Sequence, residues 1–364
     1  MPPSTPPPTP VLIFGAGGAG IDVARKLAAG GVPVLGFLDN VKPPGSLWAG
    51  HVVHHPEDAP GKFGRHTPVV FSVRRVSVSF AEVAKGLREA GWTDVVTFGG
   101  FLRRHRKTLG DMNWGTPPGH YDMPGRLAAY DEARGLWADD KSRAVFEGLL
   151  AFRRSFDETS LTPPDGDEYF PADLPRWAAP MRLVDGGAFD GAVALEAAGR
   201  GYSVSAAALF EPDPGNFSRM AKALADRAPK TGGMWLCWPC ALADRDAPAF
   251  FIADADQPMA GAVSAAGAAS VMGVRLDSVL RGFRPTWIKL DVEGSELRAL
   301  AGAVETLRRD RPGWAVCAYH RADDLWEIPR WFARHAAGLG YRYYLRAHSH
   351  GGLDDHCFYA VPER

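Results

Sequence analysis

The chain runs to 364 residues, long enough for two domains, and its 41 Lys and Arg balance 42 Asp and Glu to a formal charge of −1. That balance excludes a nucleic-acid binder of the basic-stripe kind. The short run Arg103-Arg104-His105-Arg106-Lys107 reads as a solvated helix face, with a phosphate contact as the lesser alternative. No apolar run reaches the ~18 residues of a membrane span. Residues 1–10 lack the charged and apolar regions of a signal peptide and read as a disordered or polyproline-like tail.

Val11-Leu-Ile-Phe14 predicts a short strand that runs into Gly15-Ala-Gly-Gly-Ala-Gly20. A helix follows, with Ile21, Ala24, Leu27 and Ala28 on one face, and a second strand, Val34-Leu-Gly-Phe-Leu38, ends on Asp39. Strand, glycine turn, helix, strand and terminal acid come in the order of a dinucleotide-type unit. Gly15, Gly17 and Gly20 would let backbone amides approach a phosphate at a helix N-terminus, and Asp39 stands about where a ribose-binding acid belongs. Further strands at 69–73 and 94–98, with a helix at 80–90 between them, close this domain near residue 110.

From residue 111 to 180 the chain turns rich in Gly, Pro and Trp, with helical patterns at about 126–137 and 140–157. The loop Thr162-Pro-Pro-Asp-Gly-Asp-Glu-Tyr-Phe-Pro171 has the aromatic and acidic content of a substrate cover, and equally that of an inert connector.

A second sheet opens at Arg182-Leu-Val-Asp-Gly-Gly-Ala-Phe-Asp-Gly191, whose strand ends on Asp185 before a helix near 192–199. The next strand, 206–210, stops at Glu211-Pro212. A third strand, 233–238, carries Cys237-Trp-Pro-Cys240. With no second ligand pair and no thioredoxin-like context, these are read as core thiols, which suit a reducing cytoplasm.

The most informative segment is Thr286-Trp-Ile-Lys-Leu-Asp-Val-Glu-Gly-Ser-Glu-Leu-Arg-Ala-Leu300. If its strand persists to Glu293, then Lys289, Asp291 and Glu293 share one face. Three charges at the carboxyl end of an interior strand point to a ligand crevice, with a surface salt-bridge cluster as the plain alternative. A helix over 295–308 would then pack through Leu297, Leu300, Ala301, Val304 and Leu307. Strands at 315–319, 341–345 and 357–361 complete a mostly parallel, doubly wound sheet, the last two antiparallel.

Trp287-Ile-Lys-Leu-Asp-Val-Glu-Gly-Ser-Glu-Leu, the turn Asp185-Gly-Gly-Ala-Phe-Asp-Gly, Glu211-Pro and Tyr319-His together resemble the FkbM family of S-adenosylmethionine-dependent O-methyltransferases. Asp324-Leu-Trp-Glu-Ile-Pro329 and Tyr344-Leu-Arg346 extend the likeness, which spans roughly residues 138–362. Gly186 departs from it, since the family usually carries an apolar β-branched residue there; its loss is expected to loosen strand packing.

The resemblance implies a class I methyltransferase sheet binding S-adenosylmethionine. Gly187 and Gly191 would admit the methionine end of the cofactor, Asp185 would organise the turn, and Asp190 would meet the ammonium. Glu211 would accept the ribose hydroxyls and Asp244 would lie near the adenine. Asp291 is the first candidate for the catalytic base and His320 the second. Lys289 and Glu293 would orient the acceptor, or pair with each other and hold the loop. Asp291, Glu293 and His320 would also suit a divalent ion, an option ranked below a metal-free reaction.

The N-terminal domain resembles the small nucleotide-binding domain that precedes some sugar acetyltransferases, which implies a nucleotide-sugar ligand. A degenerate unit used for assembly, including a homo-oligomer, is the alternative. The expected architecture is therefore α/β: a Pro-rich tail (1–10), a Rossmann-like domain (11–112), a helical connector and possible lid (113–180) and a methyltransferase domain (181–364). The expected acceptor is a hydroxyl of a sugar, nucleotide-sugar, glycan or natural product, in the cytoplasm. The competing functions are an NAD-dependent oxidoreductase using Gly15–Gly20, and an inactive binding protein.

Overall fold

The computed structural model describes residues 9–73, 78–105, 126–155, 157–175, 180–231, 233–252, 262–264, 269–350 and 355–363. Most of the N-terminal tail, Arg106 and Lys107 of the basic run, and the Trp114 loop lie outside the described residues. The chain forms two compact units. One comprises residues 1–122, 147–164 and 349–353; the other comprises 123–146, 165–348 and 354–364. Among the described residues no helix is long and apolar enough to cross a membrane.

The first unit is built on a six-stranded sheet of order β3-β4-β2-β1-β5-β6. Its strands are β1 (Val11–Phe14), β2 (Val34–Leu38), β3 (Leu47–Trp48), β4 (His51–His54), β5 (Val69–Phe71) and β6 (Val95–Thr97). All pairings are parallel except β3 with β4. Alternation along β1 divides the core: Val11 and Ile13 join one cluster with Val23 and Leu27, and Leu12 and Phe14 join another with Ala84 and Trp92. The strand expected over 94–98 stops at Thr97, because the Thr97 hydroxyl accepts the Gly100 amide at 3.0 Å and caps the helix Phe98–Arg104.

The second unit holds a seven-stranded sheet of order β16-β17-β15-β14-β7-β8-β9. These are β7 (Met181–Gly186), β8 (Val204–Phe210), β9 (Met234–Trp238), β14 (Trp287–Leu290), β15 (Gly313–Cys317), β16 (Tyr341–Ala347) and β17 (His356–Pro362). β15, β14, β7, β8 and β9 run parallel; β17 is antiparallel to β16, as expected, and also to β15. The charged segment thus forms the central strand, which is why Trp287, Ile288 and Leu290 are buried whichever face they take.

A second sheet in this unit, of order β10-β13-β11-β12, was not expected. Its strands are β10 (Cys240–Leu242), β11 (Ala247–Ile252), β12 (Ala262–Ser264) and β13 (Ala269–Val274). They are short and rich in alanine, which gives little β signal. β9 is a half-exposed edge strand rather than a buried one. Cys237 and Cys240 are accordingly free and half-buried, not core thiols.

The helix expected over 295–308 is two helices, Glu296–Ala301 and Val304–Asp310. A Cβ on Gly302 would lie 2.0 Å from the Ala243 carbonyl oxygen, so the chain bends where it meets that backbone. The buried Asp277 carboxylate then accepts the Glu305 and Thr306 amides and caps the second helix. Ala301, placed on the apolar stripe by a single-helix reading, is exposed.

The connector is divided between the units. Its segments 123–146 and 165–180 belong with the seven-stranded sheet, where buried Arg346 of β16 pairs with Asp139 at 2.7 Å and Asp173 at 3.0 Å.

Candidate active site

β14 ends at Leu290, not at Glu293 as the sequence alternation assumed. Glu293 adopts φ +51 and the following Gly294 φ +87, a tight turn into the helix Glu296–Ala301. The three charges therefore diverge, and each finds its own partner.

Lys289 is buried and reaches across to β7. Its Nζ lies 3.0 Å from Asp185 Oδ1 and 3.9 Å from Asp291 Oδ2, and it donates to the Gly187 carbonyl at 2.5 Å. Burial opposes its charge, but Asp185 and Asp291 outweigh it and hold the ammonium above its ordinary range. Asp185 is fully buried, and burial raises its carboxyl against the pull of Lys289. Lys289 thus ties the end of the central strand to the Asp185 turn, and it does not pair with Glu293.

The turn has a demanding backbone. Gly187 has φ +73, and a Cβ there would lie 1.8 Å from the Asp291 carbonyl oxygen, so β7 and β14 leave the sheet nearly touching. Gly191 has φ +79 and opens the helix Ala192–Gly199, whose Ala192 amide donates to Asp190 Oδ1 at 3.0 Å. Gly186 does not leave the gap expected of it. Leu242 and Leu290 side chains lie 2.8 and 2.9 Å from where its Cβ would be, so two leucines fill the space.

Glu211 stands just beyond β8, largely buried, and its two oxygens accept the Phe189 and Asp213 amides at 2.9 Å each. Burial raises its carboxyl against these hydrogen bonds. The Asn216 side chain hydrogen-bonds the same carboxylate. Positive-φ glycines and a bracing carboxylate thus stand together at the carboxyl ends of β7 and β8. Asp244 is half-exposed and pairs with Arg298 at 3.0 Å.

His320 follows β15. Its Nδ1 lies 2.8 Å from Glu296 Oε1, and its Nε2 lies 3.4 Å from Asp291 Oδ1 and 3.5 Å from Glu293 Oε2. Burial disfavours the imidazolium, but Glu296, Asp291 and Glu293 outweigh it and raise the ring to about 10. These three carboxylates thus favour the protonated form of the ring. Burial raises Asp291 too, yet Lys289 and His320 overcome it and leave the carboxyl below its ordinary value. Burial raises Glu293 to about 7.

Three residues of this cluster were not expected. The Tyr169 hydroxyl donates to Asp291 Oδ2 at 2.9 Å, and its ring lies 5.2 Å from Lys289 Nζ. Glu168, raised to about 7 by burial and then by Asp291, comes with it from the same loop. Glu296 is fully buried and also accepts the Val292 amide at 3.0 Å. Glu296 carried a signal: an acid three residues after Glu293, on the inner face of a helix. Tyr169 and Glu168 carried only their place in an aromatic and acidic loop.

Residues 185–343 match the family described as the methyltransferase FkbM domain. Over those residues the chain is similar to the FkbM methyltransferase domain. Its fold is also that of a methyltransferase FkbM from Methylobacillus flagellatus KT, at TM-score 0.75 and 20% identity, covering 97% of this chain and 90% of that one. A fibrillarin from Aeropyrum pernix with natively bound S-adenosyl-L-methionine overlaps at TM-score 0.32 and 14% identity, covering 53% of this chain and 71% of that one; an overlap so partial carries no argument. No curated protein matches the sequence. Within the FkbM domain lie all the charged groups above except Glu168 and Tyr169, which precede it.

In the other unit, the glycine turn and Asp39 come together. Asp39 Oδ2 accepts the Ala16 amide at 2.8 Å, and Oδ1 accepts the Val41 and Lys42 amides at 2.8 and 2.9 Å. Burial raises this carboxyl, and the three amides lower it further than burial raises it. A Cβ on Gly20 would lie 1.9 Å from the Gly15 carbonyl oxygen, whereas Gly17 faces open space.

Proposed function

We propose that the FkbM domain transfers a methyl group from S-adenosylmethionine to a hydroxyl of a sugar, nucleotide-sugar, glycan or natural product. The N-terminal unit would bind a nucleotide or nucleotide-sugar through Gly15, Gly17, Gly20 and Asp39. The observation that carries this reading is the row of acids at the carboxyl ends of three adjacent strands: Asp185 on β7, Glu211 after β8 and Asp291 after β14. That is where open α/β sheets bind ligands.

When bound, S-adenosylmethionine supplies an electrophilic methyl group. The chain's own residues have separable tasks. Glu211 offers its carboxylate to a vicinal diol. Asp190 offers a carboxylate to an ammonium, and Lys289 keeps the Gly187 turn against the end of the central strand. Asp291, ionised at neutral pH, takes the acceptor proton as the new bond forms. His320, in its protonated form, steadies the acceptor oxygen. The four thiols suit a cytoplasmic setting.

Transfer of a labelled methyl group to a panel of nucleotide-sugars and free glycans tests the reading. Asp291→Asn should keep S-adenosylhomocysteine binding and lose turnover. Full turnover in that variant removes Asp291 as the base.

A further inference from the structure

His320 is surrounded in a way that a methyl-transfer site does not require. Its ring is 9% exposed, and Nδ1 is held at 2.8 Å by Glu296, whose Oε1 also accepts the Val292 amide. The opposite nitrogen, Nε2, points between Asp291 Oδ1 at 3.4 Å and Glu293 Oε2 at 3.5 Å. Neither contact is a hydrogen bond; both are longer than the roughly 2.7–2.9 Å of an imidazolium–carboxylate bond. Asp291 Oδ1 is moreover a buried oxygen with no hydrogen-bond partner. Its other oxygen is occupied by Tyr169.

We propose that Asp291, Glu293 and His320 bind a divalent cation of the Mn2+ or Zn2+ class, with Glu296 as the residue that positions the imidazole. A cation about 2.0–2.2 Å from each donor separates neighbouring donors by roughly 3.0–3.5 Å. The two spacings around Nε2 fall there, too long for hydrogen bonds and right for ligands of one ion. Asp291, Glu296 and His320 bring donor atoms within 4.8 Å of one another. Of these, Glu296 is already engaged with Nδ1. A carboxylate on the far nitrogen of a ligating histidine fixes the tautomer and presents the other lone pair, as metal sites commonly require. One imidazole with two carboxylates suits Mn2+ or Zn2+ better than Mg2+, which prefers oxygen and water.

The charge count favours the same occupant. Asp185, Asp291, Glu293 and Glu296 set four carboxylates against two cations, Lys289 and the protonated His320, and a dication that displaces the imidazole proton would offset part of the remaining excess. Three protein ligands leave positions open for a substrate oxygen. On the methyl-transfer reading, which this part alone rests on, an acceptor hydroxyl bound there would lose its proton more readily. Asp291 would then act through the ion, and His320 would ligate it as a neutral imidazole instead of meeting the acceptor as an imidazolium.

The test is Mn2+ binding by the full chain, stripped with a chelator and followed by paramagnetic resonance and calorimetry. One ion per chain is expected, with Asp291→Asn and Glu293→Gln each weakening binding at least 10-fold and Glu296→Gln weakening it 10- to 100-fold. Glu293 is the most exposed of the three, so Glu293→Gln remains informative if Asp291→Asn does not fold; circular dichroism checks both. A folded wild-type chain that takes up neither Mn2+ nor Zn2+ overturns the proposal, as does a folded Glu293→Gln chain that binds like wild type. S-adenosylhomocysteine binding, measured on the same stripped sample, is a separate readout: its absence beside one bound Mn2+ removes the methyl-transfer reading and upholds the metal site.

Discussion

The Tyr169 hydroxyl donates a hydrogen bond to Asp291 Oδ2 at 2.9 Å, across 122 residues of sequence. Tyr169 precedes the FkbM domain, so a residue outside the family's boundaries fixes the rotamer of the acid at the centre of the site. A hydrogen bond to a charged group contributes about 1.5–3 kcal/mol. Tyr169→Phe should therefore lower kcat roughly 10- to 100-fold with little change in S-adenosylhomocysteine affinity. Equal losses in kcat and cofactor affinity would show a merely structural role.

Lys289 is the only permanent cation among the site's described buried groups, and it holds Asp185 and Asp291 together. Lys289→Met leaves the fully buried Asp185 carboxylate uncompensated. It should lower stability by roughly 3–5 kcal/mol, read in denaturant melts. Adding Asp185→Leu should restore part of that loss; a further drop of the same size would contradict the pairing.

The two neighbouring glycines of the Asp185 turn should respond differently. At Gly186 a new side chain meets leucine methyls that can shift, so Gly186→Val should cost about 1–3 kcal/mol through overpacking. At Gly187 a Cβ meets the Asp291 carbonyl oxygen on a backbone of positive φ. Gly187→Ala should therefore melt well below Gly186→Val, and the reverse order would contradict the geometry.

His348 supplies a pH signature outside the catalytic cluster. It is buried against the Tyr359 hydroxyl at 2.8 Å, and burial pushes its ring down to about 4. Its folded value lies below the unfolded ~6.5, so between those values the unfolded chain binds the extra proton. Stability from this group is intact above ~6.5 and falls as pH drops toward 4, by on the order of 2–3 kcal/mol. His348→Gln should flatten the stability profile in that window relative to wild type; parallel profiles would refute the assignment.

The sequence made legible whatever depends on local pattern. The alternation of Val11–Phe14 and the acids at or just beyond strand ends, Asp185, Glu211 and Asp291, placed both mostly parallel sheets and the row of acids. It did not reveal Tyr169, because a loop residue meets its partner only after the chain has folded over a long separation. Nor did periodicity show the break at Gly302, since the approach of the Ala243 carbonyl comes from another element. The face-sharing argument for Lys289, Asp291 and Glu293 failed at its last member because the chain turns at Glu293 and Gly294.

The central claim is that the Asp185 turn and Glu211 hold S-adenosylmethionine. Calorimetry with S-adenosylhomocysteine on the wild-type chain and on Glu211→Ala tests it most directly. The account predicts ~micromolar binding by wild type and at least a 10-fold loss in Glu211→Ala, about 1.4 kcal/mol or more. Absence of binding to the folded wild-type chain, or equal affinity in the two proteins, would contradict it.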